Sequence, residues 1–121
     1  MSHEEAGSTD QDDPPIYDHQ LALEHSGGNP AIAAELLEMM LSELPDQQQQ
    51  LQSALQSSDV AKLAELAHRI SGSASCCGTP ALGSACRALR TGIDQHAEAD
   101  IPFLVELLQD QIGALRARHS L

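Results

Sequence analysis

Aromatic residues are almost absent: the 121-residue chain has one Tyr, one Phe and no Trp. Val and Ile together number eight, against 17 Leu and 17 Ala. Strands draw on β-branched and aromatic side chains, whereas Leu and Ala favour helices, so the composition argues against an all-β fold. Basic residues are also scarce. Six Lys and Arg stand against 18 Asp and Glu, for a net charge of −12. Nucleic acid and anionic membranes both require a positive footprint, so neither is an expected partner. No apolar run approaches the roughly 20 residues that cross a bilayer. The acidic N-terminus lacks the apolar segment of a signal peptide, so none is expected. Three cysteines, two of them adjacent, make no disulfide framework and fit a reducing cytoplasm.

What is present suits one helical domain. Apolar residues make up 41% of the chain, enough for a single core but not two. Residues 1–15 are polar and acidic, and cannot bury enough surface to offset their ordering entropy, so they read as a disordered tail or linker. Residues 16–121 read as five helical segments. A short one runs from Asp18 to Ser26 and stops at Gly27-Gly28. A second opens at Asn29-Pro30, an N-cap followed by proline at the first helical position. Its apolar residues Ile32, Leu36, Met40, Leu44, Leu51 and Leu55 recur at helical spacing on both sides of Pro45, which is expected to kink the helix rather than end it. The third begins at Asp59, carries Leu63, Leu66, Ala67, Ile70 and Ala74, and breaks at Gly78. Thr79-Pro80 caps the fourth, with Leu82, Cys86, Leu89 and Ile93 on one face. Asp100 caps the fifth, with Ile101, Leu104, Val105, Leu108, Ile112 and Leu115 inward. Four amphipathic helices with short connections predict an all-α, antiparallel up-down four-helix bundle, with the short first helix covering one end.

The chemically informative residue is His68. It lies off the apolar stripe of the third helix, and its same-face neighbours Ala64, Ser71, Gly72 and Ser75 are all small. Glycine in a helix interior costs about 1 kcal/mol relative to alanine, so Gly72 needs a reason, and clearance for a bulky partner is one. Charge placement points the same way. Four of the six bases, Lys62, Arg69, Arg87 and Arg90, fall in the third and fourth helices, where the acids number only Asp59, Glu65 and Asp94. With a turn near Thr79, an antiparallel pair brings position 68 level with position 90, where a guanidinium can hydrogen-bond a phosphoryl group through its fork of donors. Arg87 reads as an ordinary solvated helix residue.

The run AHRISGSASCCGTPAL, Ala67 to Leu82, resembles the histidine-containing phosphotransfer (HPt) domain, with His68, Gly72 and Gly78 at the family's histidine and glycine positions. The GNP segment Gly28–Pro30, the ELP segment Glu43–Pro45 and Cys86 extend the likeness, which is greatest to the C-terminal modules of tripartite hybrid sensor kinases. The resemblance implies a phospho-accepting histidine matching His68 on a passive bundle. Receiver domains of a hybrid kinase and of a response regulator are then the expected partners. No cofactor is expected on this chain, and Mg2+ is expected on the receiver. The imidazole would take the phosphoryl group from one receiver's phospho-aspartate and pass it to a second. No Walker-type phosphate loop is present, so ATP-dependent kinase activity is not expected. In one respect the sequence departs from the family. Where relatives commonly carry lysine three residues after the histidine, this chain has Ser71, a donor without charge. Arg69 and Arg90 are expected to replace the missing charge.

Two other readings belong to different classes. One is a non-phosphorylated helical interaction module in which His68 is incidental. The other is a metal-dependent helical enzyme, but Cys76, Cys77, Cys86 and His68 have poor spacing for a tetrahedral ion, and the cysteines read as small buried hairpin residues. His3, His19, His25, His96 and His119 read as solvated. Met39 and Met40 read as core and boundary filler. A monomer is expected, because no apolar seam is left once the bundle is built.

Overall fold

A computed structural model describes residues 14–119. Its elements are α1 (His19–His25), α2 (Pro30–Gln56), α3 (Val60–Cys77), α4 (Pro80–Asp94), a single 3-10 turn (Glu98–Asp100) and α5 (Ile101–Arg118). Within the described residues there is no strand. Of the acidic segment 1–15, only Pro14 and Pro15 are described, and the Pro15 carbonyl accepts a hydrogen bond from the Ala81 amide at 3.0 Å.

Helices α2, α3, α4 and α5 pack in a ring in which each touches its two neighbours and the diagonal pairs do not meet. The core runs down the centre, from Leu37, Leu44 and Leu51 of α2 through Leu66 and Ile70 of α3 and Leu89 of α4 to Leu108 and Ile112 of α5. Local chemistry sets the helix starts. Asp18 accepts from the Leu21 amide, Asn29 from the Ala31 and Ile32 amides, and Asp59 from the Lys62 amide. Each meets one of the orphan donors of a helix N-terminus. The other two starts differ from the sequence expectation. Thr79 holds the N-cap position of α4 but makes no cap bond; its buried hydroxyl donates back to the Ala74 carbonyl at 3.4 Å. Asp100 likewise makes no cap bond, because the 3-10 turn ending at that residue already delivers the chain into α5.

Helix α2 is continuous through Pro45, which lies exposed. Its buried face differs from the one the i, i+4 ladder suggested. The buried residues are Ala33, Leu37, Met40, Leu44, Gln47, Leu51 and Ala54, alternating steps of four and three. That is a period of 3.5, the seam of helices packed along their length. A ladder of fours rotates steadily around the helix, so Ile32 ends up 43% exposed. Leu36 and Leu55 lie only at the edge of the core.

Helix α1 covers the end of the bundle where α3 turns into α4, packing on α2 and α3. The turn is Gly78, in the left-handed region at φ 70°. Its carbonyl accepts from the Asp18 amide at 2.8 Å. A Cβ on Gly78 would meet the Asp18 carbonyl oxygen at 2.6 Å and the Ala22 methyl at 2.8 Å. Left-handed backbone and close approach both demand glycine here. Gly78→Ala should therefore lower stability by about 2 kcal/mol or more, read as a fall in urea midpoint at unchanged m-value.

Candidate functional site

His68 sits mid-way along α3, the helix wedged between α2 and α4. The buried stripe Leu63, Leu66, Ala67, Ile70, Ala74 and Cys77 fixes the rotation of α3. Position 68 follows Ala67 by one helical step of 100° and so emerges exposed. Gly72, one turn on, is also exposed, and a Cβ added there would meet nothing within 4 Å. Among the described residues, no packing requires this glycine, and the space over it, one turn from the imidazole, is open.

The two flanks of α3 differ. Toward α2, Arg69, Gly72, Ser73 and Cys76 line a shallow groove with Leu36, Met39 and Glu43. Met39 is 57% exposed on its rim, so it is surface rather than filler. Toward α4, Ser71 is half-buried. Ala74 opposes Gly83 across the α3–α4 seam, since a Cβ on Gly83 would lie 3.7 Å from the Ala74 methyl. Six residues back along α3 and six forward along α4, this antiparallel register sets His68 level with Leu89 and the exposed Arg90.

The cations of this hairpin divide into two pairs. Glu65 holds both Lys62, at 3.8 Å, and Arg69, at 2.9 Å. Arg87 and Arg90 make no ion pair or hydrogen bond among the described residues. The Arg69 guanidinium is thus turned to Glu65 and the α2 groove, while the charge left unbalanced stands on α4.

The cysteines separate by burial. Cys77 and Cys86 are buried, and Cys76 is exposed, contrary to the uniform burial expected. Burial pushes Cys77 up to about 11, with the neighbouring Cys76 adding to the effect. Burial likewise pushes Cys86 up to about 12, against a lowering pull from Arg87 and Arg90. Among the described residues, no three His, Cys, Asp or Glu gather as a metal-holding group. His119 is only half-exposed, packed edge-on to Tyr17 at 5.5 Å, rather than solvated. Burial, helped by the Arg118 charge, lowers its pKa.

The Hpt domain family model matches residues 35–118. The chain belongs to the Hpt domain family. Membership implies histidine phosphotransfer in a two-component phosphorelay, and Hpt domains are phosphotransfer modules rather than kinases. Over 101 residues the chain is 31% identical to the signal transduction histidine-protein kinase BarA of Shigella flexneri and of Escherichia coli strain K12. That alignment spans 82% of this chain and 11% of the kinase, so the chain covers about a tenth of the length of these relatives. The fold matches the HPT domain of a sensor hybrid histidine kinase from Shewanella, with TM-score 0.77 and 23% identity over 85% of this chain and 89% of that one. It also matches histidine-containing phosphotransfer protein B from Pseudomonas aeruginosa PAO1, with TM-score 0.74 and 21% identity over 86% and 90%. Among the described residues, no helix of this Hpt domain is long and apolar enough to cross a membrane.

Two outcomes follow for this Hpt domain. A thiol reagent at pH 8 should label Cys76 alone in the native protein and all three cysteines in urea, as counted by mass spectrometry. Thiolates are the reactive form, and Cys77 and Cys86 stay protonated and buried at that pH. Gly72→Ala should raise stability by up to about 1 kcal/mol, because the methyl enters open space and helix propensity improves; a urea titration measures this.

Proposed function

We propose that this chain is a phosphorelay intermediate in which His68 carries the phosphoryl group between two receiver domains. The observation that carries the reading is an exposed mid-helix histidine one turn from a glycine whose missing side chain leaves open space among the described residues. The lone pair of a neutral ring nitrogen forms an N–P bond as the aspartyl O–P bond of the first receiver breaks and its carboxylate leaves. The reverse exchange delivers the group to the aspartate of a second receiver. Imidazole suits both directions, being nucleophilic when neutral near pH 7 and a good leaving group when protonated.

In this reading Gly72 gives clearance, Ser71 can donate to a phosphoryl oxygen, and Arg90 is the cation at the level of the histidine. Arg69 can contribute only by leaving Glu65. In this reading the chain acts as a monomer in the cytoplasm. No cofactor of this chain enters the reading; Mg2+ is expected on the receiver.

The test is phosphoryl transfer from a panel of phosphorylated receivers to the wild type and to His68→Gln. Acid-labile, base-stable label on the wild type alone is expected. Equal labelling of the variant would place the acceptor elsewhere. A chain that binds receivers but takes no label from any of them would favour the adaptor reading.

A further inference from the structure

Arg87, set aside in the sequence as a solvated residue, occupies a specific place in the structure. Its Nη1 lies 3.5 Å from where a Gly83 Cβ would be, so the guanidinium folds back along α4 over the space that glycine leaves. Gly83 faces Ala74 across the seam. Arg87 itself stands one turn beyond Gly83, as Ser71 stands one turn before Ala74, so the two share a level of the hairpin. They also share a side of it. The flank of α3 toward α2 is taken by Arg69, Ser73 and Cys76. Half-buried Ser71 therefore lies on the flank toward α4. Cys86, the residue before Arg87, is fully buried, and both Arg87 and Arg90 lie exposed.

All six bases fall within the described residues, and four have partners there. Lys62 and Arg69 pair with Glu65, Arg116 donates to Gln48, and Arg118 lies over the Tyr17 ring. Arg87 and Arg90 are the two without a partner among the described residues. In a chain of net charge −12, two unpaired guanidiniums on one seam make a local positive site that the rest of the surface cannot supply.

We propose that Arg87 is a phosphoryl-positioning residue. It supplies from α4 the positive charge that Ser71 does not supply from α3: swung from its place beside Gly83 toward His68, its guanidinium acts together with Arg90 on the oxygens of the group there. This deepens the proposed function and rests on it. The guanidinium forms no covalent bond; it donates hydrogen bonds to phosphoryl oxygens, which are anionic in donor and product alike.

The experiment uses phosphoramidate as a chemical donor, from which the imidazole nitrogen displaces ammonia, so no particular receiver is needed. Phosphohistidine formation and decay are followed by 31P NMR at low and high salt. Arg87→Ala should slow formation about tenfold at low salt, the scale of one charge-assisted hydrogen bond, and the deficit should shrink as salt screens the site. Adding Ser71→Lys to Arg87→Ala should restore the rate, which repair of a packing defect would not do. Arg116→Ala removes the same charge from the α2–α5 side and should leave the rate within about twofold. Wild-type kinetics in Arg87→Ala would overturn the proposal, as would an equal loss in Arg116→Ala or failure of the lysine to rescue. Wild-type protein that takes no label on His68 would instead overturn the phospho-acceptor reading beneath it.

Discussion

Everything about the site depends on how far α3 is rotated about its own axis. That rotation is set by burial of the stripe Leu63, Leu66, Ala67, Ile70, Ala74 and Cys77 against two neighbouring helices. A helix held on two sides has one free face, and a turn of 100° either way would push an apolar residue into water or the imidazole into the core. Each leucine or isoleucine in such a stripe is worth about 1.5–3 kcal/mol of buried apolar surface. The exposure of His68 is thus enforced by the burial of other residues of its own helix. The Ala74–Gly83 contact then sets the longitudinal register, which decides what part of α4 stands beside the histidine.

Electrostatics adds a second layer. A strongly acidic chain repels the anionic group it is read as carrying, and only its cations oppose that. Glu65 neutralises one helix's share of them. Lys62 and Arg69 lie three and four residues from Glu65 and both pair with it, whereas Asp94, four residues from Arg90, forms no ion pair with it among the described residues. Residues on one helix compete for one carboxylate, and residues on the next helix do not.

Much of this was legible in the sequence because it is local. Asp18, Asn29-Pro30 and Asp59 start their helices by bonds within three residues, and Gly78 ends α3 by a backbone preference of its own. The alternation of apolar positions placed His68 outside the core for the same reason. What escaped was decided at longer range. The face of α2 drifted because a ladder of fours and a 4-3 seam differ by about 13° per residue and diverge within a few turns. Thr79 and Asp100 look like caps, yet a carbonyl of the preceding helix claims the Thr79 hydroxyl and a 3-10 turn pre-empts capping by the Asp100 carboxylate. Cys76 differs from Cys77 only by one helical step, and His119 is covered by Tyr17, more than a hundred residues earlier. Arg69 looked available for the site because its bond to Glu65 is one of several that an exposed helix can form.

Helix α1 lies before the span that the family model matches, which begins at residue 35. Yet the Asp18 amide holds the Gly78 carbonyl, and Ala22 packs against the same glycine. Asn29, which caps α2, also lies outside that span. The span of the family model and the region that closes on itself as a folded body are therefore different stretches of chain. A protein cut at residue 35 would keep every residue of the site and lose the clasp on the turn that sets its register.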